Sequence, residues 1–175
     1  MNRTTTPRRM LAAAFFGLAA VLQPVAAEEI AKPQTPQQEK NLATVQLWRD
    51  SYNSAADGGQ FVKDTYAPDA KVLFTGASVS GHEQFIRLER AIKTAAPGRS
   101  MRIDRLRFLG DDVVIVEAVV LDSAQPDFFS PWIALLTLHD GKIVEDRTYL
   151  DSAHWPGIAA AAGIPTPGGL GAAPR

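Results

Sequence analysis

One carboxylate within an apolar strand is the first candidate for acid–base chemistry in this 175-residue chain. Glu117 is the only charged residue between Val113 and Leu121. Burial in apolar surroundings raises the pKa of a carboxylic acid, by up to ~3–5 units, toward the range that a general acid or base needs near neutral pH. We therefore predict Glu117 as a catalytic residue. The alternatives are an ion pair with Arg105 or another arginine, or exposure at the edge of the sheet.

The surroundings of Glu117 depend on the register of one hairpin. Apolar residues fall on odd positions before Asp104-Arg105 and on even positions after it, which indicates a bulge at that point. With Gly110-Asp111 as a two-residue loop, the register places Ile103 opposite Glu117. Glu117 is then expected to lie alone on an apolar face.

The histidines and the missing cysteines exclude several kinds of site. The three histidines are 57 and 15 residues apart, without the spacing of metal ligands, and the chain has no cysteine. We therefore predict no metal site and no cofactor. His82 is expected in the first turn of a helix, whose dipole disfavours the charged imidazole. It is either a residue at the edge of a binding pocket or a surface histidine.

Aromatic residues at helical or strand spacing suit either a hydrophobic core or the lining of a cavity. They are Trp48, Tyr52, Phe74 and Trp132. Together with His82 they form the predicted substrate-binding group, and packing within the core is the alternative.

The charge balance argues against a nucleic-acid partner. Lys and Arg number 18 against 19 Asp and Glu, for a net charge of -1. Affinity for nucleic acid comes largely from Lys and Arg that neutralise phosphates, and this chain has no such excess.

The first 27 residues have the pattern of a signal peptide cleaved after Ala27. They contain three arginines and no acid, then an apolar run from Leu11 to Leu22, then Val25-Ala26-Ala27. The run is shorter than the ~20 residues that cross a membrane, so no membrane span is predicted. We expect a periplasmic or secreted protein, exported by the general secretory route rather than the twin-arginine route because Pro7 precedes the arginine pair.

Composition divides the rest of the chain into three parts. Residues 28–39 are polar and contain prolines, which predicts a flexible leader. Residues 156–175 are mostly Ala, Gly and Pro, which predicts a disordered tail. The single folded domain is expected over 40–155.

Periodicity within that domain predicts three helices and then four antiparallel strands, with one strand between the second and third helix. The first helix is indicated by Leu42, Val45, Trp48, Tyr52 and Ala55. A second is expected over 60–67 and a strand over 71–75. Ser80 to Glu83 has the spacing of a capping box before the third helix. The remaining strands are expected at about 100–109, 112–122, 129–139 and 142–151.

This order of elements, with several local motifs, resembles the nuclear transport factor 2-like superfamily and particularly its SnoaL-like members. The likeness rests on Trp48 and Tyr52, the segment from Phe61 to Val72, Gly81 to Phe85, Gly141 to Glu145, and Asp151. It implies an α+β cone, in which a curved antiparallel sheet wraps around the N-terminal helices and leaves a pocket. Members use that pocket for isomerisation, cyclisation, epoxide hydrolysis, dehydration or ligand binding, and are commonly dimers.

The resemblance also nominates residues on the closing strand. SnoaL-like cyclases tend to place a polar residue and an Asp two positions apart, both pointing inward, and the matching positions are Asp146 and Thr148. Thr148 departs from that pattern, since a hydroxyl cannot act as a carboxylate base near neutral pH. Asp146 is therefore the second predicted catalytic residue, with pairing to an arginine in solvent as the alternative, and Thr148 a predicted substrate contact. A different register would turn Glu145, Arg147 and Tyr149 inward.

Two functions follow as expectations. The first is an exported pocket protein that binds a small, mostly apolar molecule, with acid–base catalysis of the isomerase, cyclase, dehydratase or hydrolase type. The second is a non-catalytic periplasmic module that forms a homodimer or binds a partner. It is suggested by the second apolar face of the strand around Glu117, made of Val114, Val116, Ala118 and Val120.

Overall fold

The computed structural model describes residues 29–54, 58–74 and 77–164. The predicted signal peptide, Ala55 and the last part of the predicted tail lie outside these residues. The described elements are β1 (Glu29–Ile30), α1 (Pro36–Ser54), α2 (Gly58–Thr65), β2 (Tyr66–Phe74), β3 (Ala77–Ser80), α3 (Gly81–Ala95), β4 (Arg99–Leu109), β5 (Val113–Asp122), β6 (Gln125–His139), β7 (Lys142–Leu150), a 3₁₀ turn (Ser152–His154) and α4 (Ile158–Ala161).

The sheet has seven strands in the order β1-β4-β5-β6-β7-β2-β3. Strands β4 to β7 pair antiparallel with their chain neighbours, whereas β2 lies parallel to β7 and β1 parallel to β4. The sheet is curved and unclosed, and helices pack against it. The predicted α+β fold class is therefore confirmed.

The core lies between the inner face of the sheet and helices α1 to α3. Val45, Trp48 and Tyr52 are buried along one face of α1, as their spacing of three and four residues requires. Phe85 and Leu88 are likewise buried on one face of α3. These helices hold aromatic side chains against the inner face of β6 and β7.

The region between the second and third helices differs from the expectation. Helix α2 ends at Thr65, and Tyr66 begins a nine-residue strand, although a helix was expected to 67. Pro68 is tolerated within β2 because the pairing with β7 is irregular between Tyr66 and Lys71. At the start of α3, Ser80 makes no side-chain cap, and its backbone N–H donates instead to Gln84 Oε1 at 3.0 Å.

The prediction of a flexible leader over 28–39 is wrong for the residues described. Strand β1 pairs with Arg105 and Leu106 of β4. Helix α1 begins at Pro36, because proline suits a first helical turn, where its missing N–H is not needed. Gln38 is buried and donates from Nε2 to the carbonyl of Gly110 at 3.0 Å. The prediction failed because it used only the polar composition of this segment, which does not show such contacts.

The predicted domain end at residue 155 is also too early. Trp155 is buried and its Nε1 donates to Ser130 Oγ at 2.9 Å. Helix α4 follows and lies against α3, and Ala162 and Ile164 are buried. A few apolar side chains among small residues are enough to hold this segment on the domain.

The bulge between β4 and β5 is confirmed, but the predicted register around it is wrong. The pairing shifts between Ile103 and Arg105. Leu109 pairs with Val113, so the loop has three residues rather than two, and Gly110 adopts a φ of 65° there. Ala118 rather than Glu117 therefore lies opposite Ile103. The apolar residues of β5 that suggested a second covered face are instead buried on the inner face: Val114, Val116, Ala118 and Val120.

Candidate functional site

A buried carboxylate on β7 is held by two hydroxyl groups. Asp146 is 3% exposed. Its Oδ2 accepts a hydrogen bond from Tyr66 Oη at 2.7 Å, and its Oδ1 accepts one from Thr148 Oγ1 at 2.7 Å. Tyr66 Oη in turn accepts from Trp48 Nε1 at 3.0 Å. These four residues, Asp146, Tyr66, Thr148 and Trp48, are called the Asp146 network below.

Three elements position this network. In β7, Asp146 and Thr148 are two residues apart and so share the inner face. The parallel neighbour β2 supplies Tyr66 from its first residue, just before the pairing becomes irregular. Helix α1 supplies Trp48 from its buried face. The site therefore combines helix α1 with the neighbouring strands β2 and β7.

Burial raises the pKa of Asp146 to about 6. The hydrogen bonds from Thr148 and Tyr66 oppose this shift, because they stabilise the charged carboxylate, while the charge of Glu89 adds to it. Burial, followed by the charge of Asp146, raises the pKa of Tyr66, so this phenol remains protonated and donates. Asp146 can thus be an ionised base at neutral pH and a proton donor under mildly acidic conditions.

Aromatic rings surround the network. The rings of Tyr66 and Phe85 lie 4.7 Å apart, centre to centre, and those of Trp48 and Trp132 lie 5.6 Å apart, both edge to face. Trp132 is 8% exposed, and its Nε1 has no hydrogen-bond partner among the described residues. The carboxylate therefore lies beside a largely apolar environment that contains a free N–H donor.

A second buried polar pair lies in the same interior. Arg99 Nη2 donates to Glu89 Oε2 at 2.8 Å, and both side chains are almost wholly buried. The guanidinium carbon of Arg99 lies 4.1 Å from the centre of the Tyr52 ring. Sequence reasoning missed both charged residues. Glu89 could have been found from its position one turn after Phe85 on the buried face of α3.

Glu117 lies away from this interior, on the outer face of the sheet. Its Oε2 accepts from Arg105 Nη1 at 2.8 Å, and its side chain is 39% exposed. The corrected register causes this, since it turns Ala118 inward and Glu117 outward. The predicted apolar surroundings of Glu117 are therefore wrong, because its side chain is partly exposed and paired with an arginine.

The other predicted site residues are divided between the two faces. Phe74 is half-buried and pairs with Thr148 across β2 and β7. His82 Nε2 lies 3.0 Å from the carbonyl oxygen of Tyr66, close to the start of β2. Arg147 and Tyr149 are exposed on the outer face of β7. The structure thus brings Phe74, Trp48 and Trp132 to the side of the sheet that holds Asp146 and Thr148.

Across residues 29–54, 58–74 and 77–164, no group of three or more acids and histidines could hold a metal ion. Among the same residues, no helix is both long enough and apolar enough to cross a membrane.

Solved structures of the same architecture cover most of this chain. A candidate SnoaL-like polyketide cyclase from Jannaschia sp. matches with a TM-score of 0.58 and 22% identity, over 77% of this chain and 100% of that one. A candidate isomerase of the SnoaL-like family from Agrobacterium tumefaciens matches at 0.55 and 14%, over 65% and 98%. A protein from Catenulispora acidiphila with a ketosteroid isomerase-like fold, solved in complex with trimethylamine, matches at 0.52 and 22%, over 70% and 93%. At these identities the likeness establishes the fold alone.

The sequence itself identifies the family. No curated protein sequence matches the chain. The model of the SnoaL-like domain, however, matches residues 45–146, which is more than half of the chain and runs from the buried face of α1 to the carboxylate of β7. The resemblance inferred from the residues is therefore confirmed, and the chain belongs to the SnoaL-like domain family.

Proposed function

We propose that this protein binds a small, mostly apolar molecule and that Asp146 transfers a proton to or from it. The single observation that carries the proposal is the burial of Asp146 among aromatic rings with hydrogen bonds to both carboxylate oxygens. A carboxylate with a pKa of about 6 is suited to general acid–base work near neutral pH. The reaction class is proton transfer at carbon, as in an isomerisation or a cyclisation.

The network assigns a role to each member. Ionised Asp146 takes a proton from the ligand, so that a C–H bond breaks and an O–H bond forms at the carboxyl. Tyr66 and Thr148 hold the two oxygens in place and stabilise the charged form before the transfer. Trp48 fixes the Tyr66 hydroxyl by donating to it. Return of the proton to another atom of the ligand completes an isomerisation without any change in oxidation state.

Proton transfer can be tested without knowing the natural substrate. Exchange of the α-hydrogens of 2-tetralone for deuterium, followed by NMR, measures proton abstraction from a small apolar ketone. We expect the protein to accelerate this exchange, with a rate that rises as pH passes through about 6 because the base must be ionised.

The matched variants are Asp146→Asn and Asp122→Asn. Asp122 is equally buried, at 3% exposure, but its carboxylate accepts from Ala124 N and Gln125 Nε2 in the turn after β5. Asp146→Asn should abolish the acceleration, and Asp122→Asn should retain it in the folded protein. If 2-tetralone binds but exchanges no faster than in buffer, the catalytic part of the proposal fails and a binding protein remains.

A second candidate function is association of two copies through the outer face of the sheet. Phe129, Ile133 and Tyr149 are exposed there, at 53%, 43% and 60%, and Ile133 lies directly opposite Tyr149. Exposed apolar residues grouped on one face are typical of interaction surfaces. The outer face is separate from the Asp146 network, so a homodimer of this kind is compatible with either a catalytic or a non-catalytic role.

Sedimentation measures this association directly. The wild-type protein should be a dimer at micromolar concentration, and Ile133→Asp should convert it to a folded monomer. The matched change Thr137→Asp lies on the same face of β6, outside the apolar group, and should leave the dimer intact. A monomeric wild-type protein would remove this second candidate.

We also propose that the protein is exported. The support is the sequence of residues 1–27, with its arginines, its apolar run and its small residues before the expected cleavage point. N-terminal sequencing of the protein recovered from the periplasm should begin at Glu28, whereas recovery of the intact chain from the cytoplasm would contradict export.

A further inference from the structure

We propose that Arg99 is a second anchor for the ligand and that it binds a neutral acceptor oxygen, such as that of a ketone or an ester. This inference rests on the proposed binding of a small apolar molecule. It starts from two donors of the guanidinium, Nε–H and Nη1–H, which have no hydrogen-bond partner among the described residues.

Arg99 is a buried cation, yet two of its guanidinium nitrogens have no hydrogen-bond acceptor among the described residues. Its side chain is 1% exposed, and Nη2 donates to Glu89 Oε2. A buried donor left without an acceptor is unfavourable, and such donors are rare in folded proteins. Two of them on one guanidinium therefore indicate a place where an acceptor from outside the chain is bound.

The guanidinium is held rigidly in this position. The ring of Tyr52 lies against it, with the guanidinium carbon 4.1 Å from the ring centre. Glu89 binds Nη2 through the ion pair at 2.8 Å. A fixed donor loses little conformational freedom on binding, which favours affinity for a ligand.

Arg99 and Asp146 belong to one interior. The ring of Tyr52 lies 5.4 Å from that of Phe61, and Phe61 lies 5.9 Å from Tyr66, which donates to Asp146. The charge of Glu89 acts on Tyr52, Tyr66 and Asp146 alike. An apolar ligand among these rings would have a proton-transfer group at one end and a hydrogen-bond donor at the other.

The charges already present favour a neutral acceptor over an anion. Glu89 balances the charge of Arg99, and Asp146 adds a further carboxylate to the same interior. A carboxylate ligand would bring another negative charge into surroundings of low polarity. A carbonyl oxygen satisfies the free N–H groups without adding charge.

Three naphthalene probes of similar size separate these possibilities: 2-acetylnaphthalene, 2-ethylnaphthalene and 2-naphthoate. Their dissociation constants can be measured by NMR titration of the full chain. A hydrogen bond to a charged donor contributes roughly 10-fold or more in affinity. The ketone should therefore bind roughly 10-fold more tightly than the hydrocarbon and more tightly than the acid.

The variant Arg99→Lys keeps a cation beside Glu89 but removes the planar donors, so it should reduce the ketone preference to near unity. Arg102→Lys is the matched control, because Arg102 is on the same strand, pairs with Asp104 and has a side chain 40% exposed. That variant should keep the preference. If Arg99→Lys does not fold, the Nε–H resonance of Arg99 in the wild-type protein provides the readout, since it should move on addition of the ketone and not of the hydrocarbon.

Three other outcomes would contradict the inference. Equal affinities for ketone and hydrocarbon in the wild-type protein would overturn the role of Arg99 and leave the proposed apolar site intact. Tighter binding of 2-naphthoate than of the ketone would overturn the neutral-acceptor class. If none of the three probes binds, the proposed function fails and the inference fails with it.

Discussion

The inner face of β7 and the outer face of β5 each carry a carboxylate, and the two are held in opposite ways. Asp146 is buried and receives hydrogen bonds from two hydroxyl groups, and within the described part of the chain no cation binds either oxygen. Glu117 is partly exposed and forms an ion pair with Arg105. Burial raises the pKa of Asp146, whereas Glu117 is held by a partly exposed ion pair, which contributes little to stability. The face of the sheet therefore decides whether a carboxylate is buried beside hydroxyl donors or paired with an arginine at the surface.

The largest difference should appear when a glutamate is removed from the buried interior, on α3, and another from the outer face of the sheet. Glu89→Ala leaves Arg99 buried without its partner, which should lower the free energy of unfolding by about 3–5 kcal/mol. Glu117→Ala removes the same atoms from a pair in solvent and should leave stability nearly unchanged. Denaturant unfolding of both variants measures the contrast, and equal losses would contradict it.

The pH dependence of stability should distinguish the two faces next. The folded-state pKa of Asp146, about 6, lies above its ordinary value of 3.8, so the folded state binds the extra proton. Its contribution to stability is greatest below about pH 4 and is lost as pH rises through about 6. The loss amounts to about 3 kcal/mol, at ~1.4 kcal/mol for each pKa unit.

Asp146→Asn should remove this pH dependence and so gain stability relative to wild type between pH 4 and pH 7. Glu117→Gln is the matched change on the outer face and should follow the wild-type curve. Thermal unfolding measured across this range gives the answer. A constant offset between Asp146→Asn and wild type would mean that Asp146 has an ordinary pKa.

A smaller effect is expected from Thr148→Val, which keeps the shape of the side chain and removes one donor to Asp146. That hydrogen bond lowers the pKa of Asp146, so its loss should raise the pH midpoint of deuterium exchange. Stability should fall by about 1 kcal/mol. Thr148→Ser should restore both the midpoint and the stability. An unchanged midpoint in the valine variant would show that Thr148 does not bond the carboxylate.

Much of the fold could be predicted from the spacing of apolar residues along the chain. The helical face of Val45, Trp48 and Tyr52 and the change of parity at Asp104 both appear in the structure. The register beyond that bulge could not be predicted. Both faces of β5 are apolar, so the pattern of β5 fits either orientation, and one extra loop residue turned Glu117 outward.

The candidate site was less predictable, because its partners come from distant parts of the chain. Asp146 and Thr148 were nominated by the family resemblance. Tyr66 was assigned to a helix that ends one residue earlier, and Arg99 follows a turn with no periodic signal. Hydrogen bonds between side chains so far apart in sequence leave no local pattern, and only the folded chain reveals them.

The distance along the chain between the members of the Asp146 network has a consequence for how the protein matures. Tyr66 and Asp146 are 80 positions apart, and Trp48 reaches Tyr66 across 18. Contacts of such long range form late, after the loops between them have closed. A chain truncated before β7 lacks both Asp146 and Thr148 and therefore cannot form the network. The proposed proton transfer therefore requires β7 to be in place beside β2 and α1.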